Sequence, residues 1–325
     1  MFIREMSLAE FKEFANTHFI GNFHESINYA LIKAEEGFEY EFIAYGADDI
    51  VGAALILYKK IGSVYFGYSP RGFLIDYSND YLLEDFTNKI KEYYKNRNFA
   101  FIKINPEIAI AKLNKDTMNF EYNENYKIID MLTKNGYKKL KNNMNFEALL
   151  PRVNAIIKLD GYDYNNLSKN TRNKVKKGNR KGLILEKANP DKLNIFYKFI
   201  KNKINRDEYY YNDFYNVFSK TLDVDLMLVK VDYKAFLINA QEAYNEELRR
   251  NASFNNKLIT NNNANAINAK MNSDKALLSY KNDIAEASKN LNTGLETYVA
   301  GALVIKHQNR VIIQISGFNK AMSRF

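Results

Sequence analysis

Apolar residues recur with two periods along this chain, and each change of period marks an element. Residues 2–6 read as a short strand. The run SLAEFKEFANTH opens on Ser7 with Glu10 three positions on. That is the capping-box spacing, in which each side chain answers a free amide of the other residue, so a helix is expected behind it. HESINYALIKAEEG is a second amphipathic helix, closed by Gly37. YEFIAYG, IVGAALILY and SVYFGY are rich in β-branched and aromatic residues and separated by turn signals, which predicts an antiparallel meander. NDYLLEDFTNKIKEYYKNRN is apolar at 82, 83, 86, 90, 93 and 94, one face of a helix. FAFIKINPE is the strand after it, stopped by Pro106.

The pattern then repeats in outline. RVNAIIKLD and LILEKA read as strands, NPDKLNIFYKFIKNKINRDEYY and NDFYNVFSKTL as helical, and DLMLVKV as a strand. YVAGALVIKHQNRVIIQISG reads as a hairpin turning at Gln308-Asn309. The expected class is α+β in two similar halves, 1–146 and 147–325. Between the last strands, about 233–292 holds neither Pro nor Gly. Leu237, Tyr244, Leu248 and Leu258 lie on a heptad-like seam, with Gln241, Asn251 and Asn255 at other seam positions. After the break ITNNNANAIN, Ile267, Met271, Leu278, Ile284 and Leu291 can face them. This predicts an antiparallel coiled-coil arm, each helix of about 25 residues and roughly 35–40 Å long.

Composition narrows the chemistry. Of 325 residues, 47 are Lys or Arg against 38 Asp or Glu, a formal net charge of +9. Such an excess favours polyanionic partners without choosing among nucleic acid, nucleotides and anionic membranes. Cysteine is absent, which removes thiolate nucleophiles and disulfides, and His18, His24 and His307 show no ligand spacing. The longest apolar run, VGAALILY, is far short of the roughly 20 residues that span a bilayer. A cytoplasmic protein without metal is the expectation.

Two stretches carry candidate chemistry. SKNTRNKVKKGNRKG holds Lys169, Arg172, Lys174, Lys176, Lys177, Arg180 and Lys181 with no acid, on an expected helix ended by Gly182. Pairing at i,i+4 cannot explain the run. It is either a solvated face or a phosphate contact, with Lys169, Arg172, Lys176, Lys177 and Arg180 as the contacting residues. YSPRGFLIDYSND turns at Pro70-Arg71-Gly72. It is either a structural loop or one that places Tyr68 and Arg71 in a pocket, since Arg grips phosphate or carboxylate through two nitrogens. Asp76 is then either a salt-bridge partner or the acceptor of a substrate proton.

The duplicated halves, the late helical insertion, NTRNKVKKGNRKGLILEKA and YSPRGFLIDYSND, with NFHESINYALIK and FIKNKINRDEYYYNDFY in order around them, resemble the FemABX family. These are non-ribosomal peptidyltransferases that build the peptidoglycan interpeptide bridge. The resemblance covers essentially the whole chain. It implies two domains of the GNAT type (the acyl-CoA N-acyltransferase fold) with the coiled-coil arm in the second. Family chains continue past ISGFNKAMSRF, so it also implies a second domain incomplete at Phe325. The implied reaction moves an amino acid from aminoacyl-tRNA, a co-substrate and no cofactor, to the stem-peptide amine of a peptidoglycan precursor. That precursor is lipid II or UDP-MurNAc-peptide, which leaves room for peripheral contact with the inner membrane face. By the same resemblance Lys33 looks toward the precursor's diphosphate, Tyr68, Arg71, Arg206 and Tyr210 bind the precursor, and the arm contacts tRNA. Two other readings stay open: a non-catalytic tRNA- or precursor-binding remnant, and an acyl-CoA-dependent GNAT enzyme. The latter would carry an Arg/Gln-x-x-Gly-x-Gly/Ala loop cradling pyrophosphate at a helix N-terminus, and no such string occurs.

Overall fold

The computed structural model describes residues 1–140, 150, 151, 153–221, 223–260 and 263–325. They group into two compact units. The first is Met1–Asn154 with Asn216–Asp223 and Lys306–Arg310; the second is Ala155–Tyr215 with Val224–Ile305 and Val311–Phe325. The boundary expected at 146/147 lies outside the described residues.

The first unit is a five-stranded sheet between helices. Its elements run β1 (Phe2–Glu5), α1 (Leu8–Thr17), a 3-10 turn at Phe23–Glu25, α2 (Ile27–Glu35), β2 (Glu39–Gly46), β3 (Ile50–Ile61), β4 (Val64–Ser69), α3 (Asp80–Lys95) and β5 (Phe99–Ile104). A small pair, β6 (Ala111–Leu113) and β7 (Phe120–Tyr122), and the helix α4 (Lys127–Lys134) follow. The sheet order is β1-β2-β3-β4-β5, antiparallel except for the parallel pair β4-β5. The capping box closes as its spacing requires, Ser7 accepting from the Glu10 amide and Glu10 from the Ser7 amide. Because side chains alternate across a strand, β2 sends Phe42 to one face, where Phe11 of α1 meets it ring to ring at 4.3 Å. The other face carries Ile43, Tyr45, Ala54 and Ile56 and is sealed by Leu83, Phe86 and Ile90 of α3.

The second unit is built on α5 (Lys169–Arg180), β8 (Leu183–Ala188), α6 (Leu193–Ile200), α7 (Glu208–Ser219), β9 (Val224–Val231), α8 (Tyr233–Thr260), α9 (Ala264–Thr293), β10 (Tyr298–His307) and β11 (Arg310–Phe318), of which the end of α7, the end of β10 and Arg310 group with the first. The first helix does end at Gly182, whose φ of 70° suits glycine. The sheet order is β11-β10-β9-β8. Leu226, Leu228 and Leu303 are wholly buried on the face that meets Phe196 of α6. On the opposite face Val231 packs with Phe236, Ala240 and Ala287 at the root of the α8–α9 pair.

Three expectations are corrected. Over its described residues, 153–160, RVNAIIKLD forms no strand: Ile156, Ile157 and Leu159 are exposed and no described strand pairs with them. The helix expected through 190–210 breaks at 201–207, because Asp207 accepts from the Tyr210 amide at 2.9 Å and starts a new helix. The seam of the helix pair is only partly the expected one: Asn251 is buried in it, and Leu237 and Ile284 pack at its root. Leu248, Ile267, Met271, Leu278 and Leu291 are exposed, whereas Phe236, Ala240, Asn251, Ser273 and Ala287 are buried. Small and polar side chains leave the room for close helix approach that the larger ones would fill. The Asn-rich break falls partly outside the described residues, and Asn263 caps the returning helix through the Ala266 amide.

Candidate functional site: a buried polar cluster and a basic helix

A polar cluster in the first unit is built on the turn before α2. Asn22 accepts from the His24 amide at 3.1 Å, and Glu25 accepts from the Asn22 amide at 3.1 Å, a capping box compressed onto a 3-10 turn. The Asn22 amide group donates to Glu107, whose Oε2 also accepts from Arg310 Nη1 at 3.0 Å. The Glu107 amide in turn donates to the Arg71 carbonyl at 3.3 Å. Arg71 sits in the left-handed region at φ 60°, on the loop leaving β4. A non-glycine residue held there stores backbone strain that its surroundings must impose. Here Asn105 imposes it, its Oδ1 accepting from the Arg71 amide at 3.0 Å and from the Tyr68 hydroxyl at 3.1 Å. Arg71 Nη1 donates to the Pro151 carbonyl at 3.4 Å.

Burial sets the charges in this cluster. Asn22, His24, Glu25 and Arg71 are all buried, and Glu25 is 1% exposed. Burial pushes the Glu25 carboxyl well above its usual range, and the charge on Glu107 adds to that. Burial pushes the His24 imidazole well below its usual range, helped by Arg71, Lys33 and His307. Burial also raises the Tyr68 phenol. Desolvation disfavours whichever form is charged, so burial favours the neutral forms of both Glu25 and His24. The remaining charges include the cations Arg71, Lys33 and Arg310 and the carboxylate Glu107.

The sequence candidates fall into this frame unevenly. Tyr68 and Arg71 are brought together through Asn105. Lys33 is within electrostatic reach of His24, but its Nζ is paired with Glu36 at 2.9 and 3.1 Å and lies 5.3 Å from the Tyr29 ring. Asp76 closes its own turn, Oδ1 accepting from the Ser78 amide at 2.9 Å and hydroxyl at 2.6 Å. In the second unit Arg206 precedes α7 instead of lying on a helix with Tyr210, yet its guanidinium stacks 4.8 Å from that ring. The basic helix α5 is exposed at Lys169, Lys176, Lys177 and Arg180, while Arg172 is half-buried. Among the described residues no group of His, Asp and Glu is placed to hold a metal ion, and no helix is long and apolar enough to cross a membrane.

A family model, that of the FemAB family, matches residues 6–325. The chain belongs to the FemAB family. A lipid II:glycine glycyltransferase of Staphylococcus aureus is 26% identical over 313 residues, covering 91% of this chain and 72% of that protein. The protein of that name from the USA300 strain matches to the same extent. The crystal structure of FemX superposes with a TM-score of 0.70 at 21% identity, covering 98% of this chain and 81% of that one; at that identity the likeness shows the fold.

Within this FemAB chain, Asn22, Glu25, Asn105, Glu107 and Arg310 were not legible as a cluster. One signal was available. Asn22 and Glu25 have the same three-residue spacing as Ser7 and Glu10. Nothing local could connect Arg310 to Glu107, which lies about 200 positions away.

Proposed function

We propose that this chain is an aminoacyltransferase that moves an amino acid from an aminoacyl-tRNA to the stem-peptide amine of a peptidoglycan precursor, lipid-linked or UDP-linked. The observation that carries the reading is the FemAB match over residues 6–325, together with a relative named for glycyl transfer to lipid II. The residues present suit that chemistry. An aminoacyl ester is already activated and the nucleophile arrives with the acceptor. The amine nitrogen bonds to the ester carbonyl carbon, the carbon–oxygen bond to the ribose breaks, and the proton lost by the amine balances the ribose hydroxyl that leaves. Such a reaction needs positioning and a proton acceptor; a nucleophile from the protein is unnecessary.

Under this reading Lys33, Tyr68 and Arg71 of the first unit and Arg206 and Tyr210 of the second bind the precursor. Asp76 takes the amine proton, its Oδ1 being held by the Ser78 amide and hydroxyl. The buried Arg71, with its backbone locked by Asn105, is suited to a phosphate or carboxylate oxygen, because a preorganised guanidinium loses little freedom on binding. Incubating the purified chain with glycyl-, alanyl- or seryl-tRNA and either precursor should give a stem peptide extended by one residue in mass spectrometry. No extension with any pairing overturns the reading, and extension by acetyl-CoA instead would assign the acyl-CoA chemistry.

A further inference from the structure

The fold sorts the cations of the basic run into two sets. Arg172 turns back on its own approach loop, Nη1 donating to the carbonyls of Asn165, at 2.9 Å, and Leu167. Lys181, 8% exposed, pairs with Asp283 at 3.1 Å between the rings of Phe236 and Phe325. Lys177 donates to the Arg324 carbonyl at 2.9 Å. Lys169, Lys174 and Lys176 are exposed and make no ion pair among the described residues. A helical turn of 3.6 residues then decides direction. Lys169, Asn173, Lys176 and Arg180 fall on one stripe, opposite Gly178, which faces Leu183 of β8. At 1.5 Å per residue that stripe is about 16 Å long.

We propose that this stripe of α5 binds the sugar-phosphate backbone of an RNA strand, without reading its sequence. Its length suits a row of phosphates and exceeds what one phosphate or diphosphate could bridge. It offers point-charge and amide donors, the groups that contact nucleic-acid backbones and position them. It contains no apolar side chain, whereas a bilayer-binding helix sets an apolar face beside its cations. Glu242 and Glu246 of α8 line the groove beside Arg180, so the field is strongest toward Lys169 and Lys176. The inference rests on the proposed reading, whose donor carries an RNA, and it adds which element holds that RNA.

The test is fluorescence anisotropy with an uncharged tRNA transcript and, separately, a short RNA hairpin of unrelated sequence. Each phosphate contact removed lowers the slope of log affinity against log salt by about 1. Lys169→Gln/Lys176→Gln should therefore flatten that slope by about 2 on both RNAs. Its affinity loss between 50 and 200 mM salt should be about fifteenfold smaller than the parent's. Lys174→Gln, off the stripe, should match the parent. An unchanged slope in the double variant overturns the inference. So does a double variant that loses binding to phosphatidylglycerol vesicles while keeping RNA affinity, which would make the surface a membrane contact. Transfer that proceeds while the double variant keeps RNA affinity sinks only this inference. Absence of transfer by the parent, with the slope still flattened in the double variant, sinks only the transferase reading.

Discussion

The two units repeat one succession and finish it differently. A strand, two helices and a three-strand meander appear as β1-α1-α2-β2-β3-β4 in the first and as β8-α6-α7-β9-β10-β11 in the second, with the sheet strands in the same spatial order. In the first, α1 meets one face at Phe42, and in the second α6 meets one face at Leu228 through Phe196. In the first unit α3 seals the other face and β5 extends the sheet in parallel beyond β4. In the second, α8 and α9 are inserted between β9 and β10 and cover only part of that face. The rest is a trough of about 340 Å³ lined by Leu185, Met227, Val229, Ala302 and Phe318, and Leu185 is 65% exposed. The charges differ likewise. The first unit gathers Asn22, His24, Glu25 and Arg71 into one buried cluster, while the second displays cations on α5. One strand pattern thus serves two environments, and what packs on the sheet decides which.

The largest effect should come from removing the cover of the first unit. Phe86 is wholly buried and packs edge-on to Tyr45 and Phe73, at 5.1 and 5.0 Å. Phe86→Ala removes a ring whose cavity the sheet cannot collapse to fill, a loss of about 3–5 kcal/mol. Hydrogen exchange of the β2 and β3 amides should report it as faster opening. Unchanged protection there would mean that α3 does not hold the sheet.

The helix pair that replaces that cover is joined differently. Asn251 is buried and donates to Ser273 at 3.0 Å and Asp274 at 2.8 Å, and Ser273 donates to Glu247 at 2.6 Å. Removing one partner leaves the others desolvated, so Asn251→Ala should cost about 1–3 kcal/mol, read as lost amide protection confined to α8 and α9. Loss spread equally over the first unit would contradict that assignment.

What the sequence made legible follows from range. Ser7, Gly37, Gly182 and the face of α3 were readable because caps and helical periods are written in adjacent residues. The β2–β3–β4 meander was readable because its turns are short. The seam of α8–α9 was read in part: Leu237, Asn251 and Ile284 pack there, but Leu248, Ile267, Met271, Leu278 and Leu291 are exposed where packing selected Ala240, Ser273 and Ala287. RVNAIIKLD was misread because alternation records strand propensity and cannot supply a neighbour. The cluster around Glu107 was invisible because its partners, Asn22 and Arg310, lie far apart in sequence and meet only in the fold.

A smaller effect tests the buried charges of the first unit. The Glu25 carboxyl is raised above its ordinary value of 4.5 in the fold, so the unfolded chain releases the proton first as pH rises. Stability contributed at this site is whole below about pH 4.5 and declines above it, by at most about 1.4 kcal/mol per pH unit, until the folded group also ionises. Glu25→Gln keeps the shape without the proton. It should flatten that part of the pH dependence and be the more stable of the two at the upper end of the range, measured by urea denaturation across pH 5–8. Equal slopes in the two proteins would show that Glu25 is ionised in the fold.

The smallest expected effect is the most discriminating for the comparison. Leu185 stands on the second sheet's uncovered face, as Phe86 stands over the first sheet's covered one. A side chain that is mostly in water in both folded and unfolded states has little transfer free energy to lose. Leu185→Ala should therefore change stability by no more than about 0.5 kcal/mol, against several for Phe86→Ala. If it costs 2 kcal/mol or more, roughly the value of a fully buried leucine, something packs on that face in solution and the two sheets are covered alike. If it costs nothing, the difference between the units lies in the cover alone, since the strands beneath follow the same order and the same alternation.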